Sequence, residues 1–247
     1  MATQQTSSMN ICAMIFAAGV GSRFKPWTDS HPKSLAVING KSLLQRNIEY
    51  LQQYGIRDIV INVHHFAEQV KDAIDKHNGW GSQVQISDET MELLETGGGL
   101  QKAAPFFNVE TIVAINADIL TDLDLAAMIR FHQANDQLAT LAVADRKTSR
   151  YFLFDEQLLL CGWKNTATND EKISRKASKL IPLAFSGIHI IRKELLSMIR
   201  QKGKFSMVDV YLDLARNHRI KGYDHSGSKF VDVGKPESIA IASALFT

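Results

Sequence analysis

Two sets of residues in this chain have types and spacings suited to handling phosphate. The first is Gly19-Val20-Gly21-Ser22-Arg23, which abruptly ends the apolar run from Ile11 to Ala18. Gly19 and Gly21 allow the backbone to approach an anion closely, so that consecutive N–H groups converge on phosphate oxygens. Arg23, Lys25 and Lys33 then add fixed positive charge. Two common glycine motifs do not account for this turn. A dinucleotide fingerprint needs glycine or alanine where Phe24 stands, and Gly40-Lys41-Ser42 has Leu35 where a Walker loop has its first glycine.

The second set is acidic. Thr111 to Asn116 reads as a central strand from its β-branched content, and it delivers Asn116-Ala117-Asp118 at its carboxyl end. Ligands of open α/β sheets collect at that edge, where a carboxylate is well placed to hold a metal against phosphates. Glu95-Thr96-Gly97-Gly98-Gly99 opens a helix that Pro105 closes. Glycines inside a helix cost roughly 1 kcal/mol each, so something is expected to pack flat against this backbone.

The elements that must position these residues alternate along the chain. Strands are expected over Ile11–Ala18, Ser34–Asn39, Asp58–Val63, Val84–Ile86, Thr111–Asn116, Leu138–Val143, Ile181–Ile191, Ile220–Tyr223 and Lys229–Val233. Helices are expected over Leu43–Tyr54 behind Ser42, Ala67–His77, Leu125–Ala134 behind Asp122 and Asp124, Lys193–Gln201, and Met207–Asn217 with Ser206 and Asp209 as caps. Pro236 starts a terminal helix. Tyr151–Phe154 and Leu158–Trp163 form a β-hairpin, and Asn165–Lys179 reads as a polar, mobile excursion. The pattern is α/β: a Rossmann-like, doubly wound, mixed and mostly parallel sheet with an inserted hairpin region over residues 146–190. Residues 9–247 are expected to form one domain behind a disordered tail over 1–8.

Composition restricts the partners. A chain of 247 residues with 45% hydrophobic content buries a substantial core, and its net charge of +2 implies no global attraction to nucleic acid or membrane. The apolar run after the polar N-terminus is too short to span a bilayer, so a cytoplasmic protein is expected, monomeric or homodimeric. Cys12 and Cys161 show no metal-ligand spacing and read as buried thiols.

Four separated stretches together resemble the sugar nucleotidyltransferases: Phe16-Ala17-Ala18-Gly19-Val20-Gly21-Ser22-Arg23 with Pro32-Lys33, then Glu95 to Gly99, then Asn116-Ala117-Asp118, then Val231-Asp232-Val233-Gly234. The glycine-rich ETGGG stretch and Phe185-Ser186-Gly187 are most similar to the small N-acetylmuramate 1-phosphate uridylyltransferases. The resemblance implies that a nucleoside triphosphate and a sugar 1-phosphate are the partners and Mg2+ the cofactor, held by Asp118 and Asp232. It implies catalytic roles for Arg23, Lys33, Asp118 and Asp232, and nucleotide contacts from Ala17, Ala18, Gly19, Val20, Gly21, Glu95, Thr96, Gly97, Gly98 and Asn116. The acceptor sugar falls to Arg150, Lys164 and Gly187, although Trp163-Lys164 lacks the acidic residue that usually precedes this lysine. Backbone groups near Ala17 and Gly97, beside Glu95 or Thr96, are expected to offer a donor and an acceptor to a uracil edge, which favours UTP over CTP. The same motifs are compatible with guanylyl transfer to mannose or heptose phosphate, cytidylyl transfer to phosphocholine, or a nucleotide-sugar sensor without activity.

Overall fold

A run of six consecutive apolar residues cannot serve one face of a sheet, because successive side chains of a strand point to opposite sides. In the computed structural model, which describes residues 10–134 and 136–247, β1 (Ile11–Phe16) is buried along its whole length. Ile11, Ala13 and Ile15 enter one apolar cluster, while Cys12, Met14 and Phe16 enter another on the far side. Both faces are therefore covered, as a parallel sheet requires. The tail expected over residues 1–8 lies outside the described residues.

The chain continues through β2 (Val37–Ile38), β3 (Lys41–Ser42), α1 (Leu43–Gln53), β4 (Asp58–Val63), α2 (Ala67–Lys76), β5 (Gln83–Asp88), α3 (Glu95–Ala103), β6 (Thr111–Asn116), β7 (Ile119–Thr121) and α4 (Leu125–Ala134). It then forms β8 (Ala139–Ala144), β9 (Arg150–Phe154), β10 (Leu160–Asn165), β11 (Asp170–Ile173), β12 (Ile181–Arg192), α5 (Leu195–Met198), α6 (Met207–Leu214), β13 (Ile220–Asp224), β14 (Phe230–Asp232) and α7 (Ser238–Leu245). Among the described residues the main sheet has ten strands, in the order β11-β10-β9-β12-β6-β1-β4-β5, with β8 lying between β12 and β13. Its heart, β5-β4-β1-β6, is parallel, and the long strand β12 runs antiparallel to β6. One face carries Leu44, Ile48 and Leu51 of α1, Val70 and Ile74 of α2, and Met128 and Ile129 of α4. The other carries Leu100 and Ala103 of α3 with Met207, Val210 and Tyr211 of α6. This is the doubly wound mixed sheet that the alternation implies.

A third apolar cluster joins Phe24, Ile38, Leu43, Leu120, Val231, Val233 and Ala242. It ties the segment after the glycine turn to the small sheet β7–β14 and to α7, so parts far apart in the chain are held at one edge.

Several local expectations change in three dimensions. Within the excursion expected over Asn165–Lys179, Asp170–Ile173 pairs antiparallel with β10. All four of its residues are exposed, so hydrophobic periodicity carried no trace of this edge strand. Only Leu195–Met198 of the expected Lys193–Gln201 helix is helical. The strand expected over Ser34–Asn39 divides into a 3-10 turn at Lys33–Leu35 and the short hairpin β2–β3. Asp124 does cap α4, accepting from the Ala127 amide at 2.9 Å. Asp122 instead accepts from the Lys229 amide at 2.7 Å and ties β7 to the approach of β14. Ser206 caps α6 through the Val208 amide, whereas Asp209 does not close the box and pairs with Lys172 at 2.8 Å. Ser42 caps α1 as its position implies, accepting from the Gln45 amide at 3.1 Å. No helix among the described residues is long and apolar enough to cross a membrane, and Cys12 and Cys161 are free and buried.

Candidate active site

A cleft of about 430 Å3 opens where β1 and β6 end, lined by Ala17, Ala18, Gly19, Gly21, Arg23 and Asp118 among others. The two strands run parallel in register, Phe16 opposite Asn116, so their carboxyl ends deliver the glycine turn and Asn116-Ala117-Asp118 side by side. Gly19 has nothing within 4 Å of the place a Cβ would occupy, which leaves its backbone open to a ligand. Gly21 has a different reason to be glycine. Its φ is +60°, and a Cβ there would lie 2.8 Å from the Thr28 methyl and 3.2 Å from Lys33 Cβ. Thr28 also donates its hydroxyl to the Gly21 carbonyl at 3.0 Å, holding the turn against the segment that carries Lys33. The Val20 side chain is exposed and does not line the cleft.

The opposite wall is formed by Glu95 and Thr96 at the start of α3. Behind it lies a buried polar chain: the Ala17 amide donates to Asn62 Oδ1 at 2.8 Å, Asn62 Nδ2 donates to Glu89 Oε1 at 2.7 Å, and the Leu94 amide donates to Glu89 Oε2 at 3.1 Å. Glu89 is fully buried, and a Cβ at Gly99 would stand 2.6 Å from its Oε1. Sequence reasoning missed this chain; the available signal was a polar residue, Asn62, inside the apolar strand β4.

The three glycines have a tertiary explanation. A Cβ at Gly97 would come within 2.4 Å of the Phe205 ring, and one at Gly98 within 2.3 Å of the Gly203 carbonyl. The partner packed flat against this backbone is thus the 203–205 segment of the same chain, and Gly97 and Gly98 are buried without lining the cleft. Both amides donate to the Phe205 carbonyl, at 2.9 and 3.3 Å. Thr96 accepts from the Met207 amide at 3.0 Å, capping α6. Of the backbone groups near Ala17 and Gly97 expected to offer a base edge one donor and one acceptor, both amides are therefore occupied, by Asn62 and Phe205. What remains exposed on this wall is the Glu95 carboxylate, carried on a residue with φ +59° and 3.8 Å from Lys204 Nζ.

At the far end of the cleft the catalytic candidates meet. Lys33 Nζ donates to Asp118 Oδ2 at 2.5 Å, with both side chains largely withdrawn from solvent. The Val233 amide donates to the Asp118 carbonyl at 2.9 Å, and β14 pairs with β7 so that Asp232 lies opposite Ile119. The two aspartates are thereby placed together. Asp232 is exposed at its edge, yet the surrounding protein leaves its carboxyl poorly hydrated. This, followed by repulsion from Asp118, lifts it above the ordinary carboxylate range against the opposing pull of Lys33, Arg23 and Arg146. A Cβ at Gly234 would lie 2.8 Å from Asp232 Oδ1 and 3.2 Å from Arg23 Nη2, so glycine leaves room for the arginine and the carboxylate on either side of it.

The residues expected for the acceptor divide. Gly187, with φ +71°, permits close contact with Asn116, whose Nδ2 would lie 2.8 Å from an added Cβ. Lys164 lies over the Tyr151 ring at 5.8 Å on the β9–β10 hairpin, while Arg150 stands exposed at the hairpin's start. A further cation that sequence reasoning passed over, Arg146, follows β8 and donates to the Phe185 carbonyl at 2.7 Å.

Comparison with known proteins gives the family. The chain is 29% identical over 233 residues to an N-acetylmuramate alpha-1-phosphate uridylyltransferase of Neisseria meningitidis serogroup B, covering 94% of this chain and 97% of that one. It is 27% identical over 225 residues to a D-glycero-alpha-D-manno-heptose 1-phosphate guanylyltransferase of Campylobacter jejuni, covering 91% and 95%. Its fold matches HddC of Yersinia pseudotuberculosis complexed with GMP-PN, with a TM-score of 0.76 at 23% identity over 96% of this chain and 99% of that one. The family model for nucleotidyl transferases runs from residue 12 to 247, taking in the glycine turn, both aspartates and every strand that positions them, and the chain belongs to that family.

Proposed function

We propose that this protein transfers a uridylyl group from UTP to N-acetylmuramate 1-phosphate, releasing pyrophosphate. The observation that carries the reading is the meeting of Lys33, Asp118, Asp232 and Arg23 at the end of a cleft floored by the glycine turn. Both reactants are anions, so rate acceleration rests on charge neutralisation and alignment, and no covalent nucleophile is required. A sugar phosphate oxygen attacks the α-phosphorus in line, and the bond to the departing pyrophosphate breaks. Backbone donors at Gly19 and Gly21 hold the triphosphate, Arg23 spreads charge over the leaving group, and Lys33 bridges toward the α-phosphate. The acceptor needs no general base, since a phosphate monoester is already largely dianionic near neutral pH.

Asp118 and Asp232 fit a magnesium ion. Two carboxylates held together, one repelling the other, form an oxygen donor pair of the kind Mg2+ uses when its remaining ligands are phosphate and water. When bound, such an ion supplies charge neutralisation at phosphate oxygens.

The choice of base is supported by the uridylyltransferase relative and by Glu95. An ionised carboxylate only accepts hydrogen bonds, and the N3–H of uracil supplies one donor, whereas cytosine presents an acceptor at the same atom. The choice of sugar is supported by the same relative and by Lys164, a cation suited to the lactyl carboxylate of a muramate. Pyrophosphate release measured with four nucleoside triphosphates against a panel of sugar 1-phosphates tests both choices. The highest kcat/KM is expected for UTP with N-acetylmuramate 1-phosphate. A higher value for GTP with a heptose or mannose phosphate would reassign both substrates.

A further inference from the structure

Arg146 carries a half-buried charge that the fold leaves largely unanswered. Its Nη2 donates to the Phe185 carbonyl at 2.7 Å, and its guanidinium lies over the Phe230 ring at 4.6 Å. Phe230 is braced in turn by the His225 ring, 5.9 Å away, whose Nε2 meets the buried Ser186 hydroxyl at 2.7 Å. These contacts fix the plane of the guanidinium but use one of its five N–H donors. Nε is buried with no hydrogen-bond partner among the described residues. An arginine placed only to join β8 to β12 would be expected to have its donors satisfied, because an uncompensated charge out of water is costly to retain.

Its position indicates what would compensate it. Phe230, the ring beneath the guanidinium, lies two residues before Asp232 on β14, so the two side chains share one face of that strand and the cation faces the strand that bears Asp232. The cation comes from the β8–β9 link, next to the hairpin that bears Lys164, and not from the glycine turn that bears Arg23. Phe185, its anchor, opens the irregular part of β12 that contains Gly187, which packs against the Asn116 side chain of β6. We infer that Arg146 is the residue that binds the phosphate of the acceptor, on the hairpin side of the Asp118–Asp232 pair. This assignment rests on the sugar-phosphate reading above, and it gives Lys164 and Arg150 the rest of the sugar. Arginine suits the task because its planar fork meets phosphate oxygens in pairs and keeps its charge under partial burial.

The test is a split between Michaelis constants. Arg146→Gln keeps a packing stem and an amide donor for the Phe185 carbonyl, but removes the charge. It should raise KM for the sugar 1-phosphate by about tenfold or more, while KM for the nucleotide stays within about twofold. Arg146→Lys restores a point charge and should recover part of the loss. If Arg146→Gln does not fold, Arg146→Lys and Phe230→Leu carry the same split. An unchanged acceptor KM, or an equal rise in both constants, overturns the assignment. A wild-type protein that turns over no nucleotide and sugar phosphate pair instead refutes the underlying reading. In that event inorganic phosphate is the probe. Phosphate should raise the melting temperature of the wild type in the presence of Mg2+ and fail to raise that of Arg146→Gln, and equal protection of both would remove Arg146 from any phosphate site.

Discussion

Asp232 is unusual among the site residues in that its folded environment opposes its own charge. Poor hydration and the neighbouring Asp118 raise its pKa, so the folded state binds that proton more readily than the unfolded chain does. The sign follows from linkage: a carboxylate with a raised folded pKa destabilises the fold above that pKa, and the penalty disappears as pH falls below the ordinary carboxylate value of about 4. Asp232→Asn should therefore melt at a higher temperature than the wild type at neutral pH, with the difference shrinking as the pH is lowered toward about 4. The same substitution should cut kcat by about a hundredfold or more, the scale of losing one electrostatic stabiliser. Calorimetry across a pH series and steady-state rates read both effects. A variant that is less stable at neutral pH would show that the carboxylate is held by attraction. Lys33 behaves in the opposite way. It neutralises Asp118 at 2.5 Å, so Lys33→Ala leaves two like charges facing each other, and it should lose about 1–2 kcal/mol of stability together with most of its activity. Urea denaturation that finds no loss would place Lys33 in solvent.

The informative element is α3, where an intrinsic preference and a tertiary demand conflict. Replacing a helical glycine by alanine ordinarily gains roughly 1 kcal/mol. At Gly97 and Gly98 the new methyl would enter space held by Phe205 and by the Gly203 backbone, at 2.4 and 2.3 Å. Overpacking of that kind costs about 1–3 kcal/mol, and at Gly98 the obstacle is main chain that cannot rotate aside. Gly97→Ala and Gly98→Ala should each destabilise the fold in urea. Gly19→Ala has no neighbour to strike; it should leave the midpoint unchanged and still lower kcat/KM for the nucleotide. If the two α3 variants were more stable than the wild type, the 203–205 segment would be a yielding strap and not part of the packing.

Across the whole molecule, the cleft joins structure from both layers. The wall that carries Glu95 hangs on α3, which is bonded through Thr96 and Gly97 to the start of α6 and to Phe205 before it, and the carboxylate end hangs on β7, β14 and the third apolar cluster. A ligand that bridges these parts stabilises only the folded state. At a concentration of about one hundred times its Kd, Mg2+ with UTP should add about 2.7 kcal/mol, or roughly 5–10 °C in melting temperature for a chain of this size. CTP at equal concentration should add less, because Glu95 finds an acceptor where uracil has a donor. Equal shifts for the two pyrimidines would mean that the base edge does not meet Glu95.

The sequence by itself determined the layers and the motifs. Near-continuous apolar runs in β1, β4 and β6 dictate a sheet covered on both faces, and glycines followed by Arg23 and Lys33 at the end of an apolar strand imply a phosphate turn, because hydrophobic pattern and residue type are local properties. Tertiary structure alone decided which donors remain free. The Ala17 and Gly97 amides looked available for a base and are occupied by Asn62 and Phe205. The pairing of Asp118 with Asp232 depends on β14 returning to β7, the strand β11 exists only because β10 offers it an edge, and Arg146 acquires meaning only beside Phe185 and Phe230. The physical reason is common to all four. A hydrogen bond or a Coulomb interaction belongs to a pair, and the second member of each pair is set by long-range packing that no local pattern records.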